Sequence, residues 1–169
     1  MAINIPNSTP ALNIAIIRRA QQDIPIMENP VGSNRSPEID ALCKRYGVPL
    51  GSSWCALWLS AVWEDSGAEI PPVDDSKGWH PAKAETWRQW AIATGRLTHT
   101  PKLGYAAVFG NPGHHVAACV VSTTPFVTDL EGNTSETGFS REGELTELKR
   151  TNLGNLYGYI SPTPLETST

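Results

Sequence analysis

The chain lacks the features that mark several large functional classes. It has no uncharged apolar run long enough to cross a membrane, so no membrane insertion is expected. It has no excess of basic charge. The formal net charge is −4 at pH 7, and Arg18-Arg19 and Lys149-Arg150 are isolated pairs rather than the basic face that nucleic-acid binding needs. Its three cysteines, Cys43, Cys55 and Cys119, cannot make a complete disulfide framework, so folding does not call for an oxidising compartment. No CxxC and no compact Cys/His cluster offers zinc spacing, so no metal site is expected. Met1 to Gln22 has no basic stretch followed by a continuous apolar one, so no secretory signal is expected, and anything done outside the cytoplasm would need delivery by another factor.

What is present suits one domain with a real core: 169 residues, 40% hydrophobic and 18% charged. The pattern divides in two. Thr9-Pro10 predicts a helix to about Gln22, with Leu12, Ala15, Ile16 and Ala20 on one side. Ser36-Pro37-Glu38 predicts a second, with Ile39, Leu42, Cys43 and Tyr46 at helical spacing and Gly47 as its stop. Ser52-Ser53 precede an apolar run from Trp54 to Trp63 that is hydrophobic nearly all round. It reads as a central buried helix, capped by a serine and ending at Gly67. Glu64 and Asp65 near its C-terminus oppose its dipole. Trp54, Trp58 and Trp63 can serve either packing or stacking on sugar rings, and packing is the commoner use on such a helix.

Ile70 to Gly78 reads as a surface loop with Asp74-Asp75 solvated, and Pro81 opens a fourth helix to Thr94. From Tyr105 onward short β-branched and aromatic runs take over: Ala106–Phe109, His115–Val121, Phe126–Glu131, Leu145–Lys149 and Tyr157–Ile160. Pro112-Gly113 and the glycine-rich stretch Gly132 to Gly143 read as turns. Helices first and strands second predict an α+β fold, with N-terminal helices packed on a C-terminal antiparallel sheet. Residues 1–161 form the expected single domain and 162–169 a frayed, flexible tail. Cys43, on a helical stripe, and Cys119, inside a strand, read as core.

Three pieces carry chemistry. Cys55 falls in the first turn of the apolar helix, where unpaired N–H groups and the dipole favour a thiolate. His115 opens a predicted strand, which holds an imidazole more rigidly than a loop does. Glu131 and Asn133 are two apart, so on a strand they share a face; one could hold the second nitrogen of His115 and the other polarise the reacting carbonyl. Each alone is ordinary, since free cysteine is usually core and Glu-Gly-Asn is common turn composition. Together, in the order Cys, His, polar orienter, they make the parts list of a papain-like thiol hydrolase. The doublet His114-His115 leaves a register choice.

At these residues the sequence resembles the CHAP domains (cysteine- and histidine-dependent amidohydrolases/peptidases) of the NlpC-type, papain-like group. The resemblance runs from about Glu28 to Ile160. It rests on Glu28-Asn29-Pro30-Val31-Gly32-Ser33-Asn34, Gly51-Ser52-Ser53-Trp54-Cys55-Ala56, Gly113-His114-His115-Val116, Leu130-Glu131-Gly132-Asn133-Thr134-Ser135 and Gly158-Tyr159-Ile160. The chain departs from it in carrying Gly104-Tyr105 where members usually have Gly-Asp, and in lacking the run of alternating aspartates that binds calcium in some relatives.

The resemblance implies a papain-like fold and cleavage of a peptidoglycan amide, with Cys55 as nucleophile, His115 as base and Glu131 and Asn133 completing the site. It selects His115 over His114 and calls for no cofactor. Trp54 and His114 are the expected substrate contacts. The expected enzyme is an N-acetylmuramoyl-L-alanine amidase or peptidoglycan endopeptidase. It would belong to a phage lysis or virion apparatus or be a delivered bacterial effector, with a delivery machine or an immunity protein as partner. The alternatives are a catalytically idle domain that binds wall fragments or a protein, and a cysteine protease or deamidase acting on proteins.

Overall fold

The computed structural model describes residues 5–24, 26–123, 126–134, 144–150 and 154–165. Among these are four helices, α1 (Ala11–Gln22), α2 (Pro37–Arg45), α3 (Cys55–Asp65) and α4 (Ala84–Ala93). Six strands follow, β1 (Leu97–Thr98), β2 (Ala106–Phe109), β3 (His115–Thr123), β4 (Phe126–Thr134), β5 (Glu144–Arg150) and β6 (Leu156–Ile160). The fold is α+β, with the strands in one antiparallel sheet of order β1-β6-β2-β3-β4-β5.

Helix α2 forms as its sequence dictates. Ser36 is the N-cap and its hydroxyl accepts from the Ile39 N–H at 3.2 Å, Pro37 takes the first helical position, and Ile39 and Cys43 are fully buried. Helix α3 is buried from Cys55 to Trp63 and packs on β3 and β4, so it is the central helix its all-round apolar sequence predicts. Glu64 and Asp65 at its unfavourable end are neutralised from neighbouring helices: Arg45 reaches both, at 2.7 and 2.8 Å, and Arg19 reaches Asp65 at 3.0 Å.

Residues alternate between the two sides of the sheet. Val108, Val116, Ala118, Leu130 and Ile160 join the main core with α3, while Ala107, Phe109, Ala117 and Tyr159 form a smaller cluster. The tryptophans lock the helices together rather than offering faces for sugars. Trp54, Trp58, Trp63 and Trp87 are fully buried, and Trp63 and Trp90 each meet Trp87 edge-on, at 5.0 and 6.0 Å between centroids.

Four expectations are corrected, and one strand, β1, was not expected. No serine caps α3: its N-cap is Trp54, Ser52 Oγ donates instead to the Pro49 carbonyl at 2.6 Å, and Ser53 is engaged by the sheet. Helix α4 starts three residues after Pro81, because the Pro81 carbonyl serves as a tertiary acceptor for Trp87 Nε1 at 2.9 Å and Ser60 Oγ at 3.0 Å. The two-residue β1 is too short for a periodic signal. The expected frayed tail is fastened as far as Leu165, through Glu69 N–H to Thr163 O and Leu165 N–H to Gly67 O, both at 2.9 Å. The turn expected from Gly132 to Gly143 does not begin at Gly132, because β4 continues through Gly132 and Asn133 to Thr134; its remainder over 135–143, residues 166–169 and the side chain of Cys119 lie outside the described residues. Among the described residues, no helix is long and apolar enough to cross a membrane, and no three His, Cys, Asp or Glu side chains converge as metal ligands.

Candidate active site

Cys55 is the first residue of α3, and β3 begins with His115, so the fold brings the N-terminus of the buried helix against the start of a central strand. The thiol is hydrogen-bonded to the His115 side chain and to the backbone N–H groups of Val116 and Ala56. On its far side the imidazole meets the carboxylate of Glu131, Nε2 to Oε2 at 2.9 Å, and Glu131 is fully buried. With Nε2 committed to the carboxylate, Nδ1 is the nitrogen left for the thiol. Phe109, paired with His115 across β2 and β3, lies 5.8 Å away ring to ring and limits how the imidazole can swing.

Burial by itself would raise the thiol pKa. The His115 ring and the N–H groups of Val116 and Ala56 outweigh it and hold the thiol below its ordinary value. For the imidazole, burial would lower the pKa, but Cys55 and Glu131 together raise it to about 10. Both shifts favour a thiolate–imidazolium pair, the form in which a cysteine attacks.

We expect iodoacetamide to alkylate Cys55 with a pH profile reaching well below the ordinary thiol range near 8.5, and to leave Cys43, which is fully buried, untouched in the native protein. Peptide mass spectrometry across a pH series checks this. A Cys55 rate that rises only above pH 8 would rule out the ion pair.

Asn133 departs from the strand alternation that would set it beside Glu131. The β4–β5 register shifts between Glu131 and Thr134, and Asn133 has φ +60°, a left-handed conformation that asparagine tolerates better than most residues. The two polar side chains therefore find different partners. Glu131 holds His115, whereas Asn133 Nδ2 donates to Ser53 Oγ at 2.8 Å. Three successive residues before and at the start of α3 are thus each matched to the sheet: Ser53 to Asn133, Trp54 to Gly132, and Cys55 to His115 and Val116.

The expected substrate contact through Trp54 is not available, because that side chain is fully buried. Its Nε1–H donates at 3.0 Å to the buried Glu28 carboxylate, whose other oxygen accepts from the Asn34 N–H at 2.9 Å. The ring is the spacer between α3 and β4: a Cβ on Gly132 would lie 2.7 Å from Trp54 Cζ3. Gly132→Ala is accordingly expected to destabilise the protein by roughly 1–3 kcal/mol, the range for overpacking a core, and to slow Cys55 alkylation by moving β4 off the helix. Thermal unfolding and the alkylation rate check this, and wild-type values for both would show that the contact relaxes freely. His114 is exposed and stands outside the Cys55–His115–Glu131 cluster.

Sequence reasoning missed Glu28, Ser53, Gly132 and the Val116 amide as parts of the site. Only Glu28 carried a local signal, a carboxylate placed just ahead of a Pro-Gly loop. Beside Ser53 a groove of about 450 Å³ runs past Pro49, Trp79, His80 and Lys83. Comparison of the chain with family models, with curated proteins and with solved structures found no match.

Proposed function

We propose that the protein is a cysteine hydrolase of papain-like architecture that cleaves an amide bond of peptidoglycan. The observation that carries the chemistry is the chain of contacts from the Cys55 thiol to the His115 imidazole to the buried Glu131 carboxylate, with the thiol at a helix N-terminus. The substrate class comes from the CHAP resemblance of the Trp54-Cys55-Ala56, Gly113-His114-His115-Val116 and Glu131-Gly132-Asn133 segments.

In this reading the Cys55 thiolate adds to the amide carbon, forming a C–S bond while the carbonyl π pair moves onto oxygen. Collapse of that intermediate expels the amine, which takes the proton held by His115, and leaves a thioester. His115 then removes a proton from water, whose oxygen attacks the thioester; the carboxylic acid is released, the Cys55 thiolate leaves, and the proton stays on His115, which restores the ion pair. Glu131 keeps the ring oriented and stabilises it while charged. The reaction needs no cofactor.

Mass spectrometry of fragments released from purified peptidoglycan, with Cys55→Ala as the control, tests the proposal. New amine and carboxyl ends that depend on Cys55 are expected, and their masses identify the bond cut. Retention on the wall without cleavage would indicate a binding domain. Cleavage or deamidation of proteins with the wall left intact would indicate a protein-directed enzyme.

A further inference from the structure

The Asn133 amide is engaged by a hydroxyl rather than left open for a substrate. Asn133 is 6% exposed, its Nδ2 donates to Ser53 Oγ at 2.8 Å, and its buried Oδ1 has no partner among the described residues. Ser53 is exposed, stands two residues before Cys55 and lines the 450 Å³ groove. A hydroxyl oxygen that accepts from a fixed amide must turn its own proton away from that amide. Among the described residues the Ser53 proton has no acceptor, whereas the neighbouring Ser52 proton is already given to the Pro49 carbonyl at 2.6 Å.

We propose that Ser53 is the catalytic side-chain donor to the substrate carbonyl, and that Asn133 is a positioning residue acting through it. This rests on the cysteine-hydrolase reading of the same site. The acyl part of the substrate, an extended peptide, lies in the groove with its reacting carbonyl at the Ser53 end. As the Cys55 sulfur bonds to the carbonyl carbon, the oxygen gains the electron pair and takes the Ser53 Oγ–H hydrogen bond beside the N-terminal amides of α3. The strained backbone and buried amide of Asn133 hold the hydroxyl in that pose before substrate arrives, which is what makes such a donor effective.

A double-mutant cycle tests the relay. On wall substrate, Ser53→Ala is expected to lower kcat roughly 10²-fold, the cost of losing one oxyanion donor, with little change in KM. Ser53→Thr, which keeps the hydroxyl, should recover most of the rate. Asn133→Ala should cost no more than Ser53→Ala, and adding it to Ser53→Ala should change kcat by less than about twofold, because groups that act in series are not additive. Losses that multiply in the double variant would show that Asn133 contacts the substrate itself. A fully active Ser53→Ala would remove the proposal outright.

A second measurement needs no hydrolysis. Acetyl-Ala-glycinal should protect Cys55 from iodoacetamide by forming a thiohemiacetal, in which sulfur bonds to the aldehyde carbon and the oxygen takes a proton from His115. Ser53→Ala should weaken that protection about tenfold or more while leaving alkylation without aldehyde at the wild-type rate. Protection that ignores Ser53, or is absent in the wild type, overturns the proposal. Protection that depends on Ser53 in a protein releasing nothing from peptidoglycan would retain the donor and discard the wall substrate.

Discussion

Replacing His115 with alanine is expected to lower turnover by roughly 10²–10⁴-fold, the contribution of a positioned general acid–base, without unfolding the protein. The imidazole is the group through which the thiol and the buried carboxylate communicate: it is hydrogen-bonded to Cys55 and lies 2.9 Å from Glu131. Removing it deprives Cys55 of the charge that lowers its pKa, so alkylation of the thiol should shift toward alkaline pH together with the loss of turnover. His114→Ala, one residue away, should retain most activity, because that side chain is exposed and outside the cluster. Fragment release, alkylation profiles and thermal unfolding on both variants check this. Loss of turnover in the His114 variant with retention in the His115 variant would exchange the two roles.

Glu131→Gln should be nearly as damaging, up to about 10⁴-fold, since an amide in place of the orienting carboxylate can hold the wrong tautomer of the ring. The pH dependence separates this effect from simple misplacement. In the native site the ion pair exists between the lowered thiol pKa and the imidazole pKa of about 10. Activity and Cys55 alkylation should therefore appear as pH rises through the first, and turnover should fall as pH rises through the second. Losing the Glu131 charge lowers the imidazolium pKa, so the active window contracts from its alkaline side. An unchanged profile with reduced rate would mean that Glu131 acts by shape alone. Asn133→Ala should leave the alkylation profile in place, because its hydrogen bond is to Ser53 and not to the ring.

The Ser36-Pro37 start of α2, the buried apolar α3 and the division into helices and then strands were legible in the sequence, because caps and periodicity are local signals. So was the placement of Cys55 at a helix start and His115 at a strand start. The boundary of α4 was not, since the Pro81 carbonyl is claimed by two side chains, Trp87 of α4 itself and Ser60 from α3. Nor were the serine left uncapping α3 and the fastening of residues 162–165.

The sequence by itself determined the α+β class, the identity of the nucleophile candidate and the residue types around it. The tertiary structure decided which polar groups meet. Trp54 reads as packing first and as a substrate contact second, until its Nε1 finds Glu28, 26 residues earlier, and its ring meets Gly132. Glu131 and Asn133 read as neighbours on one strand face, until the register shift and the left-handed Asn133 send one to His115 and the other to Ser53, 80 residues away. The reason is range. Helix caps and hydrophobic periods act within a turn or two of chain, whereas the partner of a buried polar group is chosen by packing between elements that the order of residues alone does not place side by side.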